Sequence, residues 1–105
     1  MERRDKTKVT QIMTVGEKRK ERWLNSPDCH LINGTYYYKW NKGIAYVLKA
    51  APGYRNVVIP ETVCLPNGEE LVVVRIDYIA FANTDIESIV IPKTIKRIER
   101  NAFAH

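Results

Sequence analysis

The chain has 105 residues, a formal net charge of +5, 45% hydrophobic residues and 28% charged residues, the profile of one soluble domain with a modest core. No apolar run approaches the roughly 20 residues of a membrane-spanning helix. The start MERRDKTKVTQIM lacks the apolar stretch of a secretion signal, and Cys29 and Cys64 are too few for a disulfide scaffold, so a cytoplasmic protein with buried free thiols is expected (a secreted one if a signal has been trimmed away).

The positive charge is uneven. Residues 1–56 hold 12 Lys/Arg against 5 Asp/Glu, net +7, and residues 57–105 hold 5 against 7, net −2. An anionic partner is therefore sought at the N-terminal half.

Residues 1–28 read as a basic segment with one short helix. Val9–Met13 alternates apolar and polar residues, which fits an edge strand or a tail. Thr14 and Glu17 have the spacing of a capping box, each side chain taking up a backbone N–H of the first turn. EKRKERWL supplies good helix formers, and Asn25-Ser26-Pro27 ends the helix after about ten residues. Lys18, Arg19, Lys20 and Arg22 are read as a solvated face, the alternative being a partner-binding patch.

From Cys29 the period changes to two, and residues 29–56 predict antiparallel strands. CHLI and TYYYKW flank Asn33-Gly34, which suits the positive φ angles of a tight hairpin turn. Asn41-Lys42-Gly43 is the next turn, IAYVLKA the next strand, and Pro52-Gly53 breaks it. Tyr36, Tyr38 and Trp40 share one face, with Tyr37 on the other. Such a row is expected to pack in the core of a small sheet, a base-stacking platform being the alternative.

Residues 57–105 say nearly the same thing twice. VVIPETV precedes RIDYIAFA, and IVIPKTI precedes KRIERNAFA. Ile59-Pro60 returns as Ile91-Pro92, and Ala80-Phe81-Ala82 returns as Ala102-Phe103-Ala104 at a shorter spacing. The difference is the length of CLPNGEELVV, which contains Pro66-Asn67-Gly68 and predicts a hairpin inserted in the first copy, rejoining the pattern at Arg75-Ile76. A repeat of this length predicts a solenoid, in which each coil buries its apolar face only against the next. Phe81 and Phe103 should then be equivalent plugs in successive coils. Glu61, Asp77 and Glu99 stand at strand ends and are read as solvated. Lys93, Lys96, Arg97 and Arg100 of the second copy complete the candidate contact residues.

These residues resemble the BspA-like leucine-rich repeats. Their unit is similar to Ile59-Pro60-Glu61-Thr62-Val63 with Ile76 and Ala80-Phe81, and to Ile91-Pro92-Lys93-Thr94-Ile95 with Ile98 and Ala102-Phe103. The lead-in of paired strands, a V-x-IP strand and a short Asn-Gly hairpin is similar too, so the resemblance covers roughly residues 33–104. Asn83-Thr84 stands where a Gly-Cys usually follows the Ala-Phe, and residues 1–28 fall outside the pattern. The resemblance implies a small hairpin cap leading into a leucine-rich-repeat solenoid that binds a protein partner without catalysis; with the short helix read before it, a mainly β, α+β chain is expected.

Chemistry finds little footing. Only His30 and His105 offer imidazoles. Cys29, His30 and Cys64 are three soft ligands, yet neighbours on a strand point to opposite faces, so no zinc site is expected. No phosphate loop, nucleophile elbow or His-Glu-x-x-His occurs, and no cofactor is implied. Two kinds of binder remain. One is a protein-binding module, with a homodimer through the C-terminal coil as one form. The other is a small phage or mobile-element inhibitor, anti-CRISPR-like, docking on a nucleic-acid enzyme or ribonucleoprotein, with RNA contact through the basic N-terminal half.

Overall fold

A computed structural model describes residues 15–78, 80–82 and 84–103; Val9–Met13, Thr14, Ala104 and His105, each read above, lie outside the described residues. The chain is mainly β with one short helix, and the elements follow the sequence closely. Helix α1 spans Val15–Leu24, with Glu17 in its first turn and Arg22 in its last, the charge order that a helix dipole favours. Strands β1 (Cys29–Ile32) and β2 (Thr35–Lys39) form an antiparallel hairpin around Asn33 and Gly34, whose φ angles are 48° and 84°. β3 (Ile44–Ala50) follows the turn at Asn41–Gly43 and pairs antiparallel with β2. A register shift between Tyr36 and Tyr37 gives β3 one extra residue, so Val47 and Leu48 are both fully buried.

Beyond Pro52-Gly53 come β4 (Asn56–Val58), β5 (Thr62–Cys64), β6 (Glu70–Ile76), β7 (Ser88–Val90) and β8 (Arg97–Ile98). β5 and β6 are the predicted inserted hairpin, antiparallel and closed by Pro66–Gly68, with Gly68 at φ 91°. The larger sheet runs β1-β2-β3-β6-β5, with β8 also pairing β6. A second sheet contains, among the described residues, β4 and β7.

The pairing offsets reproduce the two repeat spacings. β4 pairs parallel with β7, Asn56 against Ser88, which is the offset between the two Ile-Pro motifs. β6 pairs parallel with β8, Arg75 against Arg97, which is the offset between the two Ala-Phe motifs. β3 pairs parallel with β6, so the hairpin cap leads into the repeat through one continuous sheet. Backbone bonds carry the same relation between copies: Phe81 N–H donates to Ala102 O at 2.7 Å and Glu99 N–H to Ile76 O at 2.9 Å.

The core lies between the two sheets. Val47, Val73, Ile76 and Leu71 point inward from the larger sheet, Val57 and Ile59 from the smaller one, and Ala80, Phe81 and Ala102 close the corner. The rings of Phe81 and Phe103 stack with centroids 5.4 Å apart and planes at 10°. The small alanine before each Phe leaves room for that stack. The two Phe residues thus hold corresponding positions in the two copies and pack on each other, Phe81 buried and Phe103 half-open.

Candidate interaction surface

Helix α1 lies against the outer face of the larger sheet and is held by a buried charge. Lys20 is only 5% exposed. Its Nζ donates to Leu48 O at 2.8 Å and to Tyr78 O, and lies 3.5 Å from Asp77 Oδ2. Asp77 is 1% exposed and also accepts from Arg19 Nη2 at 3.3 Å. Burial pulls the Lys20 pKa from its ordinary 10.5 down to about 8, with the Asp77 carboxylate pulling the other way. An ammonium this deep needs its partners, because desolvating a charge costs several kcal/mol. The reading of Lys20 as a surface residue is therefore corrected. One turn of helix places it toward the sheet, with Trp23 three residues on, and the site it enters is built from residues far away in sequence.

Asp77 and Glu99 are corrected in the same way. Neither is merely solvated: Glu99 Oε2 forms ion pairs with Arg75 and, at 2.9 Å, with Arg97 Nε. The two carboxylates hold the same place in successive copies, Arg-Ile-Asp and Arg-Ile-Glu, and each compensates cations. Glu61 is exposed, as read.

Trp23 completes the helix contact. Its ring stacks on Tyr38 with centroids 4.5 Å apart and planes at 9°, while Trp40 stacks on Tyr46 at 5.6 Å and 15°. Arg19 lies over Trp23 and Arg75 over Tyr46, each 4.9 Å from the ring centroid. The aromatic row is thus a bed for α1 rather than the sheet's inner core. The inner aromatic is Tyr37, 2% exposed, whose hydroxyl is pushed up to about 12 by burial. Tyr36 is half-buried, and Trp40 keeps 40% of its surface open. The helix covers part of the ring surface that a base stack would use.

The remaining candidate contacts are outside. Lys18, Arg22, Lys93, Lys96, Arg97 and Arg100 are exposed. Among the described residues, Lys93, Lys96 and Arg100 form no ion pair. Cys29 is half-buried and Cys64 exposed, both as free thiols, so the expected burial of both is corrected too: Cys64 alternates with buried Val63 on a half-covered strand.

The sequence reading passed over one surface. Val58 and Val90 are register partners on β4 and β7, and they are 70% and 56% exposed. Beside them Asn56 accepts from Ser88 Oγ at 2.6 Å, and Arg55 pairs with Glu87 at 2.6 Å. The outward face of the smaller sheet is thus an apolar strip bordered by groups that satisfy one another. The signal was available, as a valine recurring two positions before each Pro, at the outward phase of an inward Val/Ile alternation.

Strands paired in register with a repeated motif, and a helix latched to the back of the larger sheet, define a repeat protein. Its repeats are similar to those of leucine-rich repeat proteins, in line with the resemblance drawn from the sequence. The fold is similar to that of a leucine-rich repeat protein from Bacteroides capillosus (26% identity, TM-score 0.66, 71% of this chain and 56% of that one). It is also similar to a leucine-rich repeat protein from Bacteroides ovatus (26%, 0.63, 70% of this chain and 20% of that one). A leucine-rich cell surface protein from Faecalibacterium prausnitzii, at 22% identity, shares the fold (0.62, 74% and 21%). This chain thus spans about half or less of the length of these proteins. No family model and no curated protein matches the sequence.

Proposed function

We propose that the chain is a non-catalytic protein-binding module, a short leucine-rich-repeat solenoid with a hairpin and helix at its front. The observation that carries this reading is the pair of parallel ladders, each in register with one of the two repeated motifs, together with the likeness to solved leucine-rich repeat proteins. Stacked coils hold their strands rigid, so exposed side chains stand in fixed rows. Rigid rows bind a protein at small entropic cost. The exposed strip of Val58 and Val90 and the half-open Trp40 are the apolar anchors available, and interfaces are centred on such residues.

The anti-CRISPR-like alternative draws on the basic N-terminal half, and Lys20 and Arg19 are engaged in holding the helix. That leaves Lys18 and Arg22 on α1, with Lys42 and Lys49 beyond it, as exposed cations of that half among the described residues. A homodimer through the C-terminal coil gains no support, because bringing two copies together there would gather uncompensated Lys93, Lys96 and Arg100 from each, a like-charge juxtaposition. Among the described residues no helix is long and apolar enough to cross a membrane.

The test is cross-linking capture from host lysate with the full chain as bait, with and without nuclease. A protein retained after nuclease, at a stoichiometry insensitive to charge reversal of Lys18 and Arg22, supports the reading. Capture that disappears with nuclease supports the nucleic-acid alternative instead.

A further inference from the structure

We infer that the open edge of β4 is a strand-addition site for an uncharged, extended peptide segment of a partner protein, an inference that rests on the protein-binding reading. The two parallel ladders have unequal lengths. Among the described residues one contains three successive strands, β3, β6 and β8, and the other β4 and β7. β6 and β4 belong to the first copy, β8 and β7 to the second. The strand that would stand beside β4, level with β3, has no counterpart among the described residues; the β1–β2 hairpin lies there instead.

Between the hairpin and β4 is a cleft of about 400 Å³. The hairpin contributes Ile32, Asn33 and Tyr37 to it, and β4 with its exit contributes Asn56, Val58 and Pro60. Tyr54 completes the lining and is half-exposed, yet its position is set: a Cβ at residue 34 would fall 2.6 Å from Tyr54 Cζ. Gly34 is thus the floor on which the ring rests. A rigid, half-open tyrosine supplies contact area at little entropic cost.

The backbone offers the bonds. Ile59 N–H donates to Val90 O, and Arg55 O accepts from Ser88 N–H and Glu87 N–H. In a parallel ladder a strand's residues alternate between its two neighbours, so residues 55, 57 and 59 serve β7. Asn56 and Val58 then turn their N–H and C=O groups to the opposite edge, toward the cleft. Among the described residues no strand pairs with that edge, and an open edge with an apolar flank is a template for another strand.

Charge specifies the kind of strand. None of the cleft residues is an acid or a base at neutral pH, and Arg55, next to Asn56, is paired with Glu87 at 2.6 Å. A charged segment would be desolvated there with no counter-charge. An uncharged segment with apolar side chains at alternate positions would lay one row on Val58 and Tyr54 and extend the β4–β7 ladder by one strand.

The experiment uses the full chain and a phage-displayed library of random dodecapeptides, with enriched sequences resynthesised as blocked peptides. Enrichment of uncharged, alternating peptides is expected. Their affinity should not depend on salt, should fall by about tenfold or more in V58K, as edge lysines block strand pairing, and should hold in V90K, one strand further from the added edge. Amide hydrogen exchange should slow at Asn56 and Val58 on adding the peptide and stay unchanged at Val57 and Ile59, whose amides already face β7 or the core. Four outcomes overturn the inference: no enrichment; acidic peptides lost on reversing Lys18 and Arg22; equal losses in V58K and V90K; or Asn56 and Val58 amides already protected in the dilute free chain, which would mean that the edge is filled from within, residues 9–13 included. A protein captured from lysate equally well by wild type and V58K keeps the protein-binding reading while overturning this site.

Discussion

The two copies of the repeat use the same residues in different surroundings. Ile59 and Ile91 precede the same proline, but Ile59 is 1% exposed and Ile91 38%. Ile76 and Ile98 follow the same arginine, and they are 0% and 48% exposed. Phe81 is buried and Phe103 half-open. The motif sets the backbone path, since both copies take up the same ladder positions. How much each residue stabilises depends on what lies on both sides of its coil, because the hydrophobic term scales with the area actually withdrawn from water. The first copy lies between the hairpin cap and the second copy, and so carries most of the core.

The largest test of that difference is the phenylalanine pair. Phe81→Ala should cost about 3–5 kcal/mol, as truncation of a buried aromatic does, while Phe103→Ala should cost less than half as much. Urea unfolding followed by tryptophan fluorescence measures both, and equal losses would break the comparison.

The carboxylate pair comes next. Asp77→Ala strands the Lys20 ammonium in the interior and should cost roughly 3 kcal/mol or more. Adding Lys20→Met should recover much of it, since two apolar groups need no partners. Glu99→Ala, at the equivalent place with Arg75 and Arg97 able to turn to water, should cost about 1 kcal/mol or less. If the double variant is no more stable than Asp77→Ala alone, the ion pair is not what holds α1.

Alkaline titration sharpens the account of Lys20. Its folded pKa of about 8 lies below its ordinary 10.5, so between those values the unfolded chain binds more protons and stability rises with pH. The gain is about 3 kcal/mol at most, from 1.36 kcal/mol per pKa unit. Tyr37 acts in the opposite sense: its folded value of about 12 exceeds its ordinary 10.0, so its contribution is lost as pH rises from about 10 to 12. Urea midpoints should therefore climb from pH 8 to about 10 and decline above it. In Lys20→Met the climb should be absent and the decline retained.

The smallest expected effect is at the outward valines. Val58→Thr and Val90→Thr should each change stability by no more than about 0.5 kcal/mol, because the side chains face water in both copies. A larger loss at Val58 alone would show that the cleft beside β4 is filled in the free protein.

The fold was largely legible in the residues, because its signals are local and repeated. Asn33-Gly34 needed positive φ angles, Pro66-Asn67-Gly68 closed the insertion, and Ile-Pro and Ala-Phe recurred at spacings that returned as pairing registers. The surface was legible only in part. Val90 could be given an outward phase, and Lys18 and Arg22 an exposed face, from periodicity alone. Lys20 shares its helix face with Trp23 and Leu24, but its burial could not be read locally, because the groups that receive it, Asp77, Leu48 O and Tyr78 O, lie far away in sequence.

What the sequence determined by itself was the path of the chain, through turn chemistry, strand alternation and a repeated apolar pattern that each act over a few residues. Folding in three dimensions alone decided that Lys20 and Asp77 meet inside, that Tyr38 and Tyr46 lie beneath Trp23, that Tyr54 rests on Gly34, and that, among the described residues, the β4–β7 ladder has one strand fewer than its companion. Each of these joins parts of the chain that are well separated in sequence, and such contacts are set by how elements pack once formed, after the local preferences have been satisfied.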